Sequence, residues 1–247
     1  MTTDPTHAPL PPGRIDIHCH LLPGVDDGCA TLDDTIACIT RFKELGFVGS
    51  VLTPHIVPTQ YPNNNPANIR LWVDHLREDL AHAGIDYQIW PGAELRASEN
   101  IISWMMDHGV PTLADSRCVL IDFWADKWPA YATELFEWLL NNNYQPILAH
   151  PERIKCCLDP RRINDLIKMG VWLQGNCKAV TGTDGFHAQQ FILQTLRAGL
   201  YTFLATDCHK PNSLEARLDG MQLIAVEHGD EMVDQMMADN PRQLLGL

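Results

Sequence analysis

The strongest constraint in this chain is an alternation. Seven short strand-like runs, "RIDIHCH", "FVGSVLTPH", "YQIWPGAEL", "CVLIDF", "QPILAH", "VWLQGN" and "YTFLATDCH", recur between segments whose apolar residues repeat with helical period. Such alternation builds parallel β/α units, because a parallel neighbour needs a crossover connection and that crossover is usually a helix. The first helix opens at Thr31, where Asp34 completes a capping box; it shows Leu32, Ile36, Ile39 and Phe42 on one face and stops at Gly46. Further helices are expected over roughly 66–83, 130–143, 160–169, 184–198 and 213–228, then in "DEMVDQMMADNPRQLL". Segment 98–115 reads as a short helix and a loop. Open doubly wound sheets often carry a Gly-rich phosphate loop after the first strand, and none is present, so a (β/α) barrel is expected.

The length of 247 residues suits one barrel-type domain, expected over 14–247, behind a polar, proline-rich tail at 1–13 that reads as flexible. A net charge of −13 argues against nucleic-acid binding, which calls for dense lysine and arginine surfaces. No basic-then-apolar leader opens the chain, and no apolar run approaches the roughly 20 residues that span a bilayer, so no direct membrane insertion is expected. The eight cysteines (19, 29, 38, 118, 156, 157, 177 and 208) form no C-x-x-C pair, which excludes a zinc ribbon or a thioredoxin-like motif. Free thiols in a cytoplasmic setting are expected.

Where the polar residues fall is the functional signal. His18 and His20 end the first run, His55 the second, Glu94 the third, Asp122 the fourth, His150 the fifth, and Asp207 with His209 the seventh. Barrel enzymes assemble their sites at that rim, from several strands at once. Strand side chains alternate faces, so His18 and His20 point together into the barrel while Cys19 points away; "DCH" repeats the pattern with Asp207, Cys208 and His209. Imidazole and carboxylate without thiolate suit manganese, iron or zinc. With Asp27 the candidate ligands number nine, too many for one cation, so two or three divalent ions are implied, with Glu94 as the bridge. Asp16 is expected to support the first-run histidines, with a plain strand-edge carboxylate as the alternative, and Asp26 reads equally as a turn residue or a helper. His7 sits in the tail, and His75, His82, His108, His187 and His228 read as surface or capping residues. Most tryptophans read as packing, with Trp124 and Trp128 as exceptions that could face substrate. Arg153, three residues past His150, is placed to fork onto phosphate oxygens.

Together these residues resemble the PHP (polymerase and histidinol phosphatase) superfamily, and within it the metal-dependent protein tyrosine phosphatases of bacterial capsule and exopolysaccharide systems. The resemblance runs from about 14 to 245 through "DIHCHLLPGVDDG", "TPH", "PGAEL", "VPTLADSRCVLIDF", "PILAHPERI", "LIKMGVWLQGN", "LATDCH" and "NPRQLL". It implies a distorted seven-stranded (β/α) barrel of PHP type holding a trinuclear metal centre, commonly manganese. The ligands would be His18, His20, Asp27, His55, Glu94, Asp122, His150, Asp207 and His209. It also implies that Arg153 handles the phosphate and that the substrate is the phosphotyrosine tail of a bacterial tyrosine kinase. Three departures stand out: Asp122 where glutamate is usual, Ile56 where a polar residue is common after "TPH", and "NCKAVTG", whose Lys178 brings a positive charge.

The expected reaction is phosphomonoester hydrolysis by metal-activated hydroxide, with Arg153 and the cations neutralising the phosphoryl oxygens. His55, His209 and Asp207 are the candidates for proton transfer to the leaving tyrosinate. Three rivals remain. A small-molecule phosphatase of the histidinol-phosphate or sugar-phosphate type shares the chemistry. A non-catalytic kinase-binding regulatory subunit would need no open metal site. Lastly, Cys156 and Arg162 have the C-x5-R spacing of cysteine-based tyrosine phosphatases. The residues between them include Asp159 and Pro160 and no glycine, which suits a helix start better than a phosphate cradle.

Overall fold

The structure, a computed structural model, describes Leu10 and residues 12–247, so most of the expected tail, His7 included, lies outside the described residues. The strands are β1 (Arg14–Cys19), β2 (Phe47–Leu52), β3 (His55–Ile56), β4 (Gln88–Pro91), β5 (Glu94–Arg96), β6 (Cys118–Asp122), β7 (Gln145–Ala149), β8 (Trp172–Asn176) and β9 (Phe203–Ala205). The helices are α1 (Leu32–Glu44), α2 (Pro66–His82), α3 (Ile101–His108), α4 (Ala130–Asn141), α5 (Pro160–Met169), α6 (Phe186–Arg197), α7 (Glu215–His228), α8 (Asp230–Asp234) and α9 (Asn240–Leu245), with a π turn at Gln235–Asp239. Each expected helix is present within a few residues, and 98–115 is indeed a short helix and a loop.

Local chemistry explains the helix starts. Thr31 Oγ1 accepts from the Asp34 amide and the Asp34 carboxylate accepts from the Thr31 amide, completing the capping box of α1. Asn65 caps α2 and Asp159 caps α5, each followed by a proline whose missing N–H costs nothing at that position. Gly46, at φ +80°, lets the chain leave α1 and enter β2.

All strand pairs are parallel, and the seven runs lie in chain order. They do not form one closed ladder. The second run breaks at Thr53-Pro54 into β2 and β3, and the third breaks after Pro91 into β4 and β5. Proline has no amide hydrogen to donate, so the ladder divides there. One sheet is β1-β2-β4 and the other β3-β5-β6-β7-β8-β9. The last run meets the first through a single parallel bridge, Cys19 to Cys208, flanked by Asp207 N–H to His18 O and His20 N–H to Cys208 O at 2.8 Å each. The fold is therefore α/β with parallel sheets, and the two sheets stay distinct.

The core divides into an inner and an outer cluster. Ile17, Val51, Leu120, Ile147, Ala149 and Phe203 pack among the strands, while the opposite strand faces pack with the helices in a larger cluster that includes Cys19 and Cys208. A register shift between Asp16 and Cys19 bulges β1. It lets Ile17 join the inner cluster while His18, the next residue, faces the site. Among the described residues no helix is long and apolar enough to cross a membrane.

Candidate metal centre

The strand ends deliver their polar side chains to one place. His18 and His20 from the end of β1 approach to 3.3 Å between their Nε2 atoms, so the expected shared face holds. His55 on β3 is in register with Glu94 on β5, and Arg96 on β5 with Asp122 on β6. His150 follows β7, and Asp207 and His209 follow β9. Glu94 sits at the middle: Oε2 lies 3.5 Å from His18 Nε2, 3.4 Å from His20 Nε2 and 2.8 Å from His55 Nδ1, and Oε1 lies 2.9 Å from His150 Nε2. Eight of the nine expected ligands fall into three overlapping groups whose donor atoms lie within 4.8 Å of one another: His20, Asp27, His55 and His209; His18, Glu94 and His150; and His18, His20 and Asp207. Asp122 joins none of them. It is buried beside His150, with Oδ1 3.9 Å from His150 Nδ1, and its Oδ2 lies 3.1 Å from Arg96 Nη2.

The donor set fits a divalent cation. Glu94 Oε2 and His55 Nδ1, 2.8 Å apart but not aligned for a hydrogen bond, are buried without a hydrogen-bond partner, as are Asp122 Oδ1 and His150 Nδ1, although buried polar atoms are nearly always paired. A cation among them would satisfy these lone pairs. The imidazoles are also pre-aimed: His18 Nδ1 meets Gln174 Oε1 at 2.8 Å, His20 Nδ1 meets Asp26 Oδ2 at 2.7 Å, and His209 Nδ1 meets the Asp207 carbonyl at 2.9 Å. With the proton on Nδ1 donated to these acceptors, each ring presents its Nε2 lone pair to the cluster. Two of the site's residues adopt left-handed backbone, His150 at φ 31° and Asp207 at φ 51°, a conformation uncommon for non-glycine residues.

The electrostatics follow from burial and neighbours. Burial alone would raise the Glu94 carboxyl, but His18, His150 and His20 hold it well below its usual range. Burial would lower His20, yet Asp26 and Glu94 lift it well above its usual value. His55 and His150 are pushed up to about 9 against their burial, chiefly by the adjacent carboxylates of Asp27 and Glu94 for the former and by the hydrogen bond to Glu94 for the latter. His209 falls to about 4, through burial and the proximity of His20.

The cluster floors an open cavity of about 300 Å³ whose wall includes Tyr61, Arg96, Trp124 and Arg153. Arg153 sits in a short turn after His150, with Nη1 2.9 Å from Asp207 Oδ2. Glu152 ties that turn down by accepting from the Asn176 amide at 2.7 Å and the Tyr201 hydroxyl at 2.8 Å. Several sequence expectations need correction. Asp16 reaches neither imidazole; it accepts from the amides of His18 and Thr206, clamping β1 to the segment after β9. Asp26 is the helper, because besides His20 it accepts from the amides of Gly28 and His55. Trp128 packs edge-on against Phe123 instead of facing the cavity, whereas Trp124 does line it. Ile56 is buried in the core, and Lys178 pairs with Asp184 at 3.0 Å away from the cavity wall. His75, His82, His108 and His187 are exposed, and His228, partly buried, also lies outside the cluster.

The C-x5-R segment forms no cradle. Arg162 lies in the first turn of α5 with its guanidinium over Trp128, 4.6 Å from the ring centroid, and Asp159 caps that helix. The sequence reading also passed over Gln174, Asn176 and Arg96. A signal existed for all three: Gln174 and Asn176 alternate in "LQGN", and Arg96 shares a strand face with Glu94 in "ELR".

Comparison with known proteins agrees with this geometry. Residues 14–246 match the family described as Capsular polysaccharide synthesis, CpsB/CapC. The chain belongs to the CpsB/CapC family. It is 30% identical over 233 residues to tyrosine-protein phosphatase YwqE of Bacillus subtilis, covering 94% of this chain and 91% of that one. It is 26% identical to tyrosine-protein phosphatase CpsB of Streptococcus pneumoniae, over 94% and 98% of the two chains. Among solved structures it resembles the unique metal-dependent tyrosine phosphatases YwqE and CpsB at TM-score 0.83 and 28% identity, with 94% of each chain covered. The phosphotriesterase homology protein of Escherichia coli shares the fold, at TM-score 0.58 and 14% identity.

Proposed function

We infer that this member of the CpsB/CapC family is a metal-dependent protein tyrosine phosphatase. The observation that carries the reading is Glu94, a buried carboxylate reached by four imidazoles from three chain segments, at the floor of a cavity that also holds Arg153. Its relatives YwqE and CpsB bear the name tyrosine-protein phosphatase. The residues proposed to hold two or three divalent ions are His18, His20, Asp27, His55, Glu94, His150, Asp207 and His209, with Asp122 at the margin. Manganese is the first choice, and iron or zinc the alternatives, since the donors are nitrogen and oxygen alone. The parallel runs are read as one domain over 14–247, a distorted seven-stranded (β/α) barrel of PHP type.

Bound there, divalent cations would lower the pKa of water toward neutrality and draw charge from the phosphoryl oxygens. The chain's own residues do the rest. Arg153, anchored by Asp207, keeps further N–H groups for phosphate oxygens and orients the ester. His55 and His209, part-exposed at the cavity mouth, are placed to pass a proton to the departing tyrosinate. Gln174 and Asp26 keep the deep imidazoles fixed through turnover. The proposed substrate is the phosphotyrosine tail of a bacterial tyrosine kinase in capsule or exopolysaccharide control, in the cytoplasm. The test compares kcat/KM for a phosphotyrosine peptide with that for histidinol phosphate and a sugar phosphate, on metal-loaded protein. The reading expects the peptide to be preferred by at least tenfold; equal or reversed preference would replace it with a small-molecule phosphatase, and no turnover of any ester with a binding subunit.

A further inference from the structure

The cavity wall contains a second cation besides Arg153. Arg96 lies at the end of β5, in register with Asp122, and its Nη2 is 3.1 Å from Asp122 Oδ2. Its guanidinium carbon lies 4.6 Å from the centroid of the Trp124 ring. Trp124 is 67% exposed, so filling the core does not account for its position. Arg96 Nε is buried and has no hydrogen-bond partner.

An arginine placed only to neutralise a carboxylate usually presents two parallel N–H groups to it. Arg96 leaves Nε unpaired, and a buried donor without an acceptor costs roughly 1–3 kcal/mol. That cost is relieved when an anion enters the cavity. Asp122 fits the same picture: it belongs to none of the three ligand groups and pairs across the strands with Arg96 instead. Trp124 covers one face of the guanidinium and holds its plane at the cavity wall.

We propose that Arg96, positioned by Asp122 and Trp124, is a second phosphate-binding residue of this site. This rests on the phosphatase reading of the cavity. Arg96 and Arg153 reach the substrate from different strands, β5 and the turn after β7, so the dianion gains two guanidinium contacts in addition to any bound cations. The Arg96–Asp122 pair thus does for the phosphate what a longer carboxylate at 122 would do for a metal.

The test uses the full chain loaded with manganese, with Arg96→Met, Arg96→Lys and Trp124→Ala alongside wild type. Calorimetric titration with inorganic phosphate gives binding, mass spectrometry gives metal per chain, and steady-state kinetics give KM and kcat. Arg96→Met is expected to weaken phosphate binding and raise KM for the phosphotyrosine peptide at least tenfold, with metal per chain unchanged. Arg96→Lys should recover part of that loss, and Trp124→Ala should weaken phosphate binding by a smaller factor. Phosphate binding within twofold of wild type in Arg96→Met overturns the proposal. So does a loss that appears only together with lost metal, or one that lysine does not relieve when that variant is folded. Phosphate titration reads Arg96 even if no phosphotyrosine is cleaved, so failure of the substrate assignment is seen separately.

Discussion

At the scale of single residues, the site is built from side chains that have given up their ordinary partners. His18, His20 and His209 each spend Nδ1 on an acceptor, which leaves Nε2 of the first two directed at Glu94 and Asp207 and that of His209 at Asp27. The acceptors therefore matter almost as much as the ligands. Replacing Asp26 by Asn removes the charge behind His20 and should lower metal affinity about 10- to 100-fold with the fold intact, measured by competition against a chelating dye. Cys156→Ser, by contrast, should keep turnover within twofold of wild type, because Arg162 starts a helix and stacks on Trp128 instead of closing a phosphate loop. A Cys156→Ser protein that is metal-loaded yet inactive would revive the thiol route. The candidate cluster was legible in sequence because all of its members but Asp27 closed a strand-like run, and the end of a run is a position that pattern alone can locate. Arg96 and Gln174 showed only their alternation along a strand, and their meaning depends on which residue lies across from them in a neighbouring strand. Asp122 illustrates the same limit: its place at a strand end was readable, but its preference for Arg96 depends on register.

At the scale of elements, the chain brings β1 and the loop behind it into close contact through a missing side chain. A Cβ on Gly28 would lie 2.1 Å from the His20 carbonyl oxygen, and one on Gly220 in α7 would lie 2.0 Å from the Cys177 carbonyl oxygen. Neither approach leaves room for a methyl group. Gly220→Ala should cost about 1–3 kcal/mol, and with roughly 2–4 °C per kcal/mol for a chain of this size, thermal unfolding should shift down by several degrees. Its kcat at a permissive temperature should stay near that of wild type, since α7 packs behind the Cys177 turn and not on the cavity. Gly28→Ala should instead lose metal before it loses fold, because the displaced atoms belong to His20 and Asp26. Calorimetry and metal content on the two variants distinguish these outcomes. Helix positions were well anticipated where a cap marked them, as at Thr31 and Asp159. The division into two sheets was not, because Pro54 and Pro91 look like ordinary residues of continuous apolar runs until the ladder is drawn.

At the scale of the whole molecule, the candidate ligand cluster draws on both sheets. His18 and His20 come from β1 in one sheet, and His55 and Glu94 from β3 and β5 in the other. Ligands that bind the folded chain and not the unfolded one add to its stability, so chelation should lower the melting temperature and manganese should restore it. The most direct test of the account counts metal ions per chain in wild type and in Glu94→Ala, by mass spectrometry, with phosphotyrosine turnover measured on the same samples before and after chelation. The account predicts two or three ions per wild-type chain, turnover that disappears and returns with them, and a Glu94→Ala protein that is folded, short of metal and inactive. One ion or none in an active wild-type chain, or full metal content in Glu94→Ala, would contradict it.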